Sequence, residues 1–205
     1  MNGAVTEATN SFAYREYLKP EIMLRLYAQG AFPMADEKTK VINWYLPEVR
    51  AIIPLDNYNC PRSLKKVLVN SNFEFRFDYD FLSVVKNCAK RKSTWISDEL
   101  IDAYLKLDKL GYMHTVETWQ NNKLVGGLYG VAIKGAFFGE SMFSKVTQAS
   151  KAALVKLLEH LKKRNFVLLD VQLMTQHLKM FGAIEIDFNQ YQAMLLKAYS
   201  VECSF

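Results

Sequence analysis

The 205-residue sequence lacks the segments that place a protein in or across a membrane. It has no apolar run of about 18 residues, which is the length that predicts a membrane-spanning helix. Residues 1–11 are small and polar, without the basic and apolar regions of a signal peptide. These absences predict a soluble, cytoplasmic protein that associates with no membrane.

The sequence also lacks the patterns that hold metals, cofactors and activated nucleophiles. Its three cysteines, Cys60, Cys88 and Cys203, are odd in number and widely spaced, which is typical of reduced thiols. The three histidines share no ligand spacing with cysteine or acid. Neither a serine nucleophile elbow nor a phosphate-binding loop is present. We therefore expect no metal and no cofactor.

What the sequence does contain is a large apolar fraction and a positive net charge. Half of its residues are hydrophobic and 23% are charged, which predicts a folded protein with a core. The formal net charge is +5 and the isoelectric point is near 9.0. A charge of this sign favours a polyanionic partner, although only weakly.

The order of the predicted elements indicates an α+β protein. We expect a small N-terminal lobe over residues 1–55 and a main domain over residues 56–205. The order in the main domain is compatible with the fold of the N-acetyltransferase superfamily (GNAT). The later elements are predicted as strands at 114–119 and 123–129, strand character over 131–143 with breaks or bulges at Gly135 and Gly139, a helix at 150–164, a strand at 166–172 and a helix at 188–199.

Two strands place isolated polar groups among apolar neighbours. Because side chains alternate along a strand, Phe138, Glu140 and Met142 are expected to share one face, as are Asp170 and Gln172. A lone carboxylate is costly to bury, so these residues indicate a half-apolar pocket with few polar groups. The alternative is that both acids lie at strand ends, in solvent or at a helix cap.

Basic residues form three groups, two on predicted helices and one at Lys86, Lys90, Arg91 and Lys92. Such groups indicate contact with a phosphate backbone. The alternative is an ordinary solvated face, whose cations also suit the C-terminal end of a helix dipole. The residues of the two helical groups are Lys151, Lys156, Lys162, Lys163 and Arg164 on the later helix, and Arg62, Lys65 and Lys66 on the earlier one.

Among the three tryptophans, Trp95 is the best placed to stack on a nucleobase. Arg91 and Lys92 precede it, and basic residues beside an aromatic ring are typical of single-strand binding. Trp44 and Trp119 have no such neighbours, and their default interpretation is packing in the core or at an edge.

Short motifs follow one another in a fixed order that is far more specific than any one of them. Together they resemble the leucyl/phenylalanyl-tRNA–protein transferase family, from about residue 14 to residue 199. The motifs of the main domain are TWI at 94–96, LGY at 110–112 with His114, GGLYGV at 126–131, FGESMFS at 138–144, ASK at 149–151, DVQ at 170–172, and His177 followed by FGA at 181–183. Those of the first lobe are Tyr27, Gln29-Gly30, Phe32-Pro33, Trp44, Pro47 and Arg50.

The resemblance implies an activity. Members of the family take leucine or phenylalanine, and sometimes methionine, from aminoacyl-tRNA. They attach it to the α-amine of proteins that begin with Lys or Arg, which marks these proteins for bacterial N-degron proteolysis. It further implies a GNAT-like catalytic domain and ester aminolysis that needs neither ATP nor metal. We expect a monomer.

The resemblance also implies the roles of particular residues. Asp170 and Gln172 match the family's catalytic pair, and our hypothesis is that Asp170 orients Gln172 and supports the attacking amine electrostatically. The aminoacyl pocket, the tRNA 3′ end and the tRNA backbone would be contacted by three further groups. These are Glu140, Met142, Leu128 and Phe138 for the pocket, Trp95 with Met34 and Trp44 for the 3′ end, and the two basic helices for the backbone.

The chain departs from the family pattern in four places. Met34 replaces the tryptophan of Phe-Pro-Trp, Trp44-Tyr45-Leu46-Pro47 replaces Trp-Trp-Ser-Pro, and Val171 replaces the cysteine of Asp-Cys-Gln. The first lobe is also shorter than usual. These departures leave the acyl-transfer centre intact and bear on tRNA affinity and on the choice of amino acid.

Two other functions are compatible with the sequence. One is an N-acyltransferase that uses acyl-CoA on the same fold, although no convincing pyrophosphate-binding loop is present. The other is a non-catalytic relative that binds RNA through its basic surface, for which Met34 is the only support.

Overall fold

A computed structural model describes residues 13–205, which contain one large and one small β-sheet. The described helices are a 3-10 helix at Ala13–Leu18 and α1 (Pro20–Ala28), α2 (Arg62–Asn70), α3 (Phe81–Ala89), α4 (Asp98–Lys109), α5 (Ala149–Lys163), α6 (Gln176–Lys179) and α7 (Phe188–Tyr199). The strands are β1 (Phe32–Ala35), β2 (Ile42–Tyr45), β3 (Val49–Ile52), β4 (Glu74–Phe77), β5 (Met113–Gln120), β6 (Lys123–Ile133), β7 (Ala136–Ser144), β8 (Leu168–Gln172) and β9 (Ile184–Asp187).

The large sheet has seven strands in the order β4-β5-β6-β7-β8-β3-β9. Strands β7 and β8 run parallel, the other neighbours run antiparallel, and α5 forms the crossover that a parallel pair requires. Helices α1, α3, α4 and α7 pack against one face of the sheet, and α2 and α5 pack against the other. The predicted α+β class is confirmed.

The helix ends follow the sequence closely. Ser97 accepts a hydrogen bond from the backbone N–H of Leu100 and so caps α4, while Asp187 and Gln190 form a capping box at the start of α7. The helices predicted in the last third of the chain are confirmed to within one residue at each end. The four-residue elements α6 and β9 are not predicted, since so short a segment carries almost no periodicity.

Strands β1 and β2 form a separate hairpin near the start of the chain. Strand β3 follows them and pairs with β8 and β9 in the large sheet. The boundary near residue 55 stays a prediction, and residues 1–12, which include the segment examined for a signal peptide, lie outside the described part. No helix within residues 13–205 is long and apolar enough to cross a bilayer.

A bulge in β7 changes the face on which Met142 lies. The register with β6 shifts between Tyr129 and Gly130, which leaves Glu140 as an extra residue in β7. Phe138 therefore packs into the core on one side of the sheet, and Met142 packs against the core on the other side. The prediction that Phe138, Glu140 and Met142 share one face is wrong, because it applied regular alternation across the break that Gly139 indicates.

Strands β7 and β8 diverge beyond the bulge. Their pairing covers residues 136–138 of β7 and 168–170 of β8. Further along, β7 stays paired with β6, while Gln172 of β8 pairs with Ala51 of β3. The divergence opens a gap in the sheet between Glu140 and Gln172.

Candidate active site

A cavity of about 550 Å³ lies where β7 and β8 diverge. Its size is typical of a pocket for a small organic group, and most of its wall is apolar. Residues from the cores on both faces of the sheet contribute to it, so the cavity follows the gap between the strands. Its apolar wall includes Leu128, Met142, Leu154, Leu157, Leu169 and Val171.

Glu140 is held in the cavity wall by three hydrogen-bond donors. Its Oε2 atom accepts a bond from the Tyr104 hydroxyl at 2.7 Å. Its Oε1 atom accepts bonds from the Tyr27 hydroxyl at 3.0 Å and from the side-chain amide of Gln172 at 2.9 Å. Burial raises the pKa of Glu140 to about 7, and the two tyrosine hydroxyls oppose the rise. Glu140 therefore exchanges a proton near neutral pH.

Asp170 forms a buried ion pair behind the cavity wall. The guanidinium of Arg50 donates from Nε to Oδ1 at 2.9 Å and from Nη2 to Oδ2 at 2.7 Å, and the Tyr191 hydroxyl donates to Oδ2 at 2.6 Å. The Arg50 and Asp170 side chains are 1% and 0% exposed. Such two-pronged pairing compensates for the loss of solvation. Asp170 does not line the cavity.

Gln172 connects this ion pair to the cavity. Its backbone N–H donates to Oδ1 of Asp170 at 2.8 Å, and its φ of +66° lies in the left-handed region. That conformation costs a non-glycine residue on the order of 1 kcal/mol and is typical of functional sites. The ion pair thus holds Gln172 in a strained backbone conformation, and the Gln172 side chain lines the cavity beside Glu140.

The structure brings together most of the residues predicted for the aminoacyl pocket. Leu128, Glu140 and Met142 line the cavity, and so does Gln172 of the predicted catalytic pair. Phe138 does not, because it is fully buried and packs its ring at 5.8 Å from that of Tyr27.

Two of the three residues predicted to contact the tRNA 3′ end lie at the cavity. Met34 and Trp95 line it. Trp44 is 0% exposed and packs edge-to-face against Tyr27, with 5.3 Å between the ring centroids. Its place on β2 directs it into the core, so it presents no surface to a nucleotide.

Two of the three predicted basic groups lie on α2 and α5, which pack against the same face of the sheet. Arg62, Lys65 and Lys66 are exposed, as are Lys162, Lys163 and Arg164 at the end of α5, whereas Lys151 and Lys156 are half-buried. Two cations of α5 and the arginine that follows it also have protein partners, since Lys156 pairs with Glu159, Lys162 lies 3.4 Å from Asp56, and Arg164 bonds to Ser204.

Four residues that shape the site are absent from the predicted site, namely Tyr27, Arg50, Tyr104 and Tyr191. Tyr27 and Arg50 belong to the motifs that carry the family resemblance, and that membership is the one feature of the sequence that points to them as site residues. Arg50 and Asp170 are 120 positions apart, and no spacing rule connects them. Nothing in the local sequence distinguishes Tyr104 or Tyr191 from other helical aromatic residues.

Comparison with known families shows to which family the chain belongs. Residues 52–196 match the family model described as leucyl/phenylalanyl-tRNA protein transferase, and residues 17–48 match the model of the N-terminal domain of the same family. The chain belongs to this family. The predicted resemblance is confirmed, and with it the assignment of the chain as an aminoacyltransferase that transfers leucine or phenylalanine from aminoacyl-tRNA to protein.

Curated relatives in the family match along most of their length. The leucyl/phenylalanyl-tRNA–protein transferase of Synechococcus sp. (strain JA-3-3Ab) is 49% identical, over 87% of this chain and 94% of its own. That of Gloeobacter violaceus is 45% identical, over 92% and 97%, and that of Salinibacter ruber is 44% identical, over 90% and 81%. The solved structure of L-PGS from Bacillus licheniformis is 14% identical over 76% of this chain and 51% of that one, with a TM-score of 0.44.

Proposed function

We propose that the cavity between β7 and β8 is the acyl-transfer site of this family member. The observation that carries the proposal is an apolar cavity with Glu140 and Gln172 joined by a hydrogen bond in its wall. A leucine or phenylalanine side chain loses contact with water against Leu154 and Leu157, while its ester lies at the polar pair. Methionine, which is unbranched and adaptable, fits the same wall.

The reaction is the aminolysis of an ester. The α-amine of the acceptor attacks the carbonyl carbon of the aminoacyl ester, a C–N bond forms, and the C–O bond to the ribose breaks. The ribose oxygen leaves as a hydroxyl after taking a proton. Since the ester is already activated, this step needs no ATP, and the enzyme contributes positioning, stabilisation of the developing oxyanion and a proton path.

Gln172 supplies the stabilisation of the oxyanion, and Glu140 supplies the proton path. One N–H of the Gln172 amide donates to Glu140, and its second N–H would donate to the developing oxyanion. Glu140, with a pKa of about 7, accepts the proton that the α-amine must lose. The pKa of an α-amine is near 8, so the two groups are well matched at neutral pH.

Asp170 acts from behind the wall. Its carboxylate is committed to Arg50, Tyr191 and the backbone of Gln172, and it does not line the cavity. We therefore assign it as a positioning residue that holds Gln172 in place. This role keeps the part of the sequence-based hypothesis in which Asp170 orients Gln172. It gives up the part in which Asp170 supports the attacking amine directly.

The proposal extends to the acceptor and to the organisation of the chain. The acceptors begin with Lys or Arg, and the enzyme acts as a cytoplasmic monomer in the bacterial N-degron pathway, with neither metal nor cofactor. Residues 56–205 form a GNAT-like domain after a small lobe over residues 1–55. The parallel β7–β8 pair with its α5 crossover supports the GNAT-like assignment.

A parallel transfer assay tests this function. Leucyl-, phenylalanyl- and methionyl-tRNA are each supplied with peptides that begin with Arg, Lys or Ala. We expect labelled leucine and phenylalanine on the Arg and Lys peptides and little on the Ala peptide. If none of the three donors yields product, the proposal fails, and measurable acetyl-CoA binding would then favour an acyl-CoA-dependent N-acyltransferase.

A further inference from the structure

Arg91 stands at the rim of the cavity without a role in the site described so far. Among the described residues that line the cavity, it is the one with a guanidinium or ammonium group. It lies in the loop between α3 and α4, which also brings Trp95 to the rim. Its side chain is tied to β7, because Nη2 donates to the backbone oxygen of Met142 at 2.5 Å and to the Ser141 hydroxyl at 3.2 Å.

Those two bonds leave most of the guanidinium uncommitted. Its Nε and Nη1 groups donate to no protein atom within residues 13–205. Within the same residues no carboxylate lies at ion-pair distance from it. The other arginine in contact with this site, Arg50, is in contrast neutralised by Asp170. The guanidinium of Arg91 is planar, has no carboxylate to balance its charge and is held on one side by β7. Such a group is suited to bind an anionic oxygen group through two hydrogen bonds.

We propose that Arg91 binds the phosphate on the 5′ side of the terminal nucleoside of the charged tRNA. The proposal rests on the proposed function, because it takes the ester to lie at Glu140 and Gln172. Met142, to which Arg91 is anchored, is two residues from Glu140 along β7, a separation of at most about 7 Å because the strand is bulged at Glu140. That separation is of the order needed to span one ribose, whose ester and 5′ phosphate lie on opposite sides of the sugar.

The same placement gives Arg91 a task in selecting the donor. A free amino acid or a small ester would fill the apolar wall as well as the aminoacyl end of tRNA does, but it carries no phosphate to reach Arg91. The phosphate contact therefore favours a nucleotide-borne ester, and it fixes the nucleoside so that Trp95 can pack against its base.

Two stable analogues test the assignment directly. One is 3′-leucylamido-3′-deoxyadenosine, in which an amide replaces the reactive ester, and the other is its 5′-monophosphate. Dissociation constants are measured by titration calorimetry for the wild type and for Arg91→Gln, Arg91→Lys and Lys90→Gln. Lys90 is the matched control, because it is an exposed cation next to Arg91 that does not line the cavity.

For the wild type we expect the 5′-phosphate to tighten binding on the order of 10-fold or more, as a charge-assisted contact allows. Arg91→Gln should abolish that advantage, Arg91→Lys should keep part of it, and Lys90→Gln should keep all of it. The unfolding midpoint of Arg91→Gln should be unchanged, since the side chain is exposed.

The remaining outcomes overturn the proposal in distinguishable ways. Equal binding of both analogues by the wild type, or a loss in Arg91→Gln that is the same for both, would show that Arg91 only braces β7. If neither analogue binds, the cavity is not the site for the aminoacyl end. The proposed function then fails, and the Arg91 assignment fails with it.

Discussion

Gln172 has a strained backbone conformation, bonds to the buried Asp170 carboxylate and lines the cavity. Its positive φ is stabilised by the Asp170 carboxylate, which is itself fixed by Arg50 and Tyr191. Substitutions along this series of contacts therefore divide into two kinds. Those at Asp170 and Arg50 act on folding as well as on activity, whereas those at Gln172 leave the ion pair intact.

We expect Asp170→Ala to destabilise the protein by about 3–5 kcal/mol, because it leaves the buried Arg50 guanidinium without its partner. Chemical denaturation measures the effect. Glu202→Ala is the control, since the Lys134–Glu202 pair is exposed, and no measurable change is expected there. Adding Arg50→Leu to Asp170→Ala should restore part of the lost stability. A double variant as unstable as the sum of the two single ones would argue against the pair.

The raised pKa of Glu140 predicts a pH-dependent stability. Unfolded Glu140 loses its proton near pH 4.3 and folded Glu140 near pH 7, so between these values the folded state holds a proton that the unfolded state has released. The unfolding free energy should therefore fall as pH rises through this window, by about 4 kcal/mol in total.

The comparison of wild type with Glu140→Gln isolates that contribution, because other groups titrate alike in both proteins. Denaturation at pH values from about 4 to about 8 should show the wild type losing stability relative to Glu140→Gln as pH rises. A constant difference between the two curves would mean that Glu140 does not titrate in this window.

At the scale of the elements, the site depends on how closely α5 approaches β6. A Cβ atom added at Gly126 would lie 2.5 Å from the Cβ of Ala149 and 3.0 Å from the backbone nitrogen of Ser150. A Cβ atom at Gly139 would lie 3.4 Å from the backbone oxygen of Asp170, which is ordinary contact. Gly126 therefore allows the close approach of α5, whereas the position of Gly139 has room for a Cβ atom.

Gly126→Ala should cost about 1–3 kcal/mol of stability, because it forces the start of α5 away from the sheet. Gly139→Ala is the matched substitution on the next strand and should change stability far less. Thermal unfolding of the two variants side by side checks the expectation. Equal destabilisation would show that the approach of α5 to β6 is not as tight as the distances indicate.

The elements also show where sequence reasoning succeeds and where it ends. The amphipathic pattern of α5 and the polar start of α7 predict those helices almost to the residue, because periodicity and caps are local signals. The bulge at Glu140 is not local, since it depends on the register with β6, and it alters which face each later residue of β7 occupies. For the same reason the sequence suggests Glu140 and Gln172 as pocket residues but gives no sign of the Arg50 pair behind them.

For the whole molecule, α2 and the end of α5 place basic side chains on the same face of the sheet. The cations of α2 and α5 lie on one face of the sheet, and α4, which carries acids in its first turn, lies on the other. We propose that the α2–α5 face holds the tRNA backbone, while the 3′ end of the tRNA enters the cavity between the strands.

This arrangement predicts the salt dependence of tRNA binding. Replacing Lys65 and Lys66 together by Gln should reduce the slope of log K against log salt by up to about 2, one for each phosphate that is no longer neutralised. Replacing Lys106 and Lys109 of α4 by Gln removes the same charge from exposed sites on the opposite face. Fluorescence titrations at several salt concentrations should show a full slope for the second variant. Equal slopes for both variants would contradict a localised tRNA surface.

The central claim is that Gln172, in the wall of the cavity, takes part in acyl transfer. Its most direct test is the rate of leucine transfer from leucyl-tRNA to a peptide with N-terminal Arg, for wild type and Gln172→Ala. We expect robust transfer by the wild type, a kcat/KM lower on the order of 10-fold or more in the variant, and an unchanged unfolding midpoint. Transfer by Gln172→Ala at the wild-type rate would contradict the account.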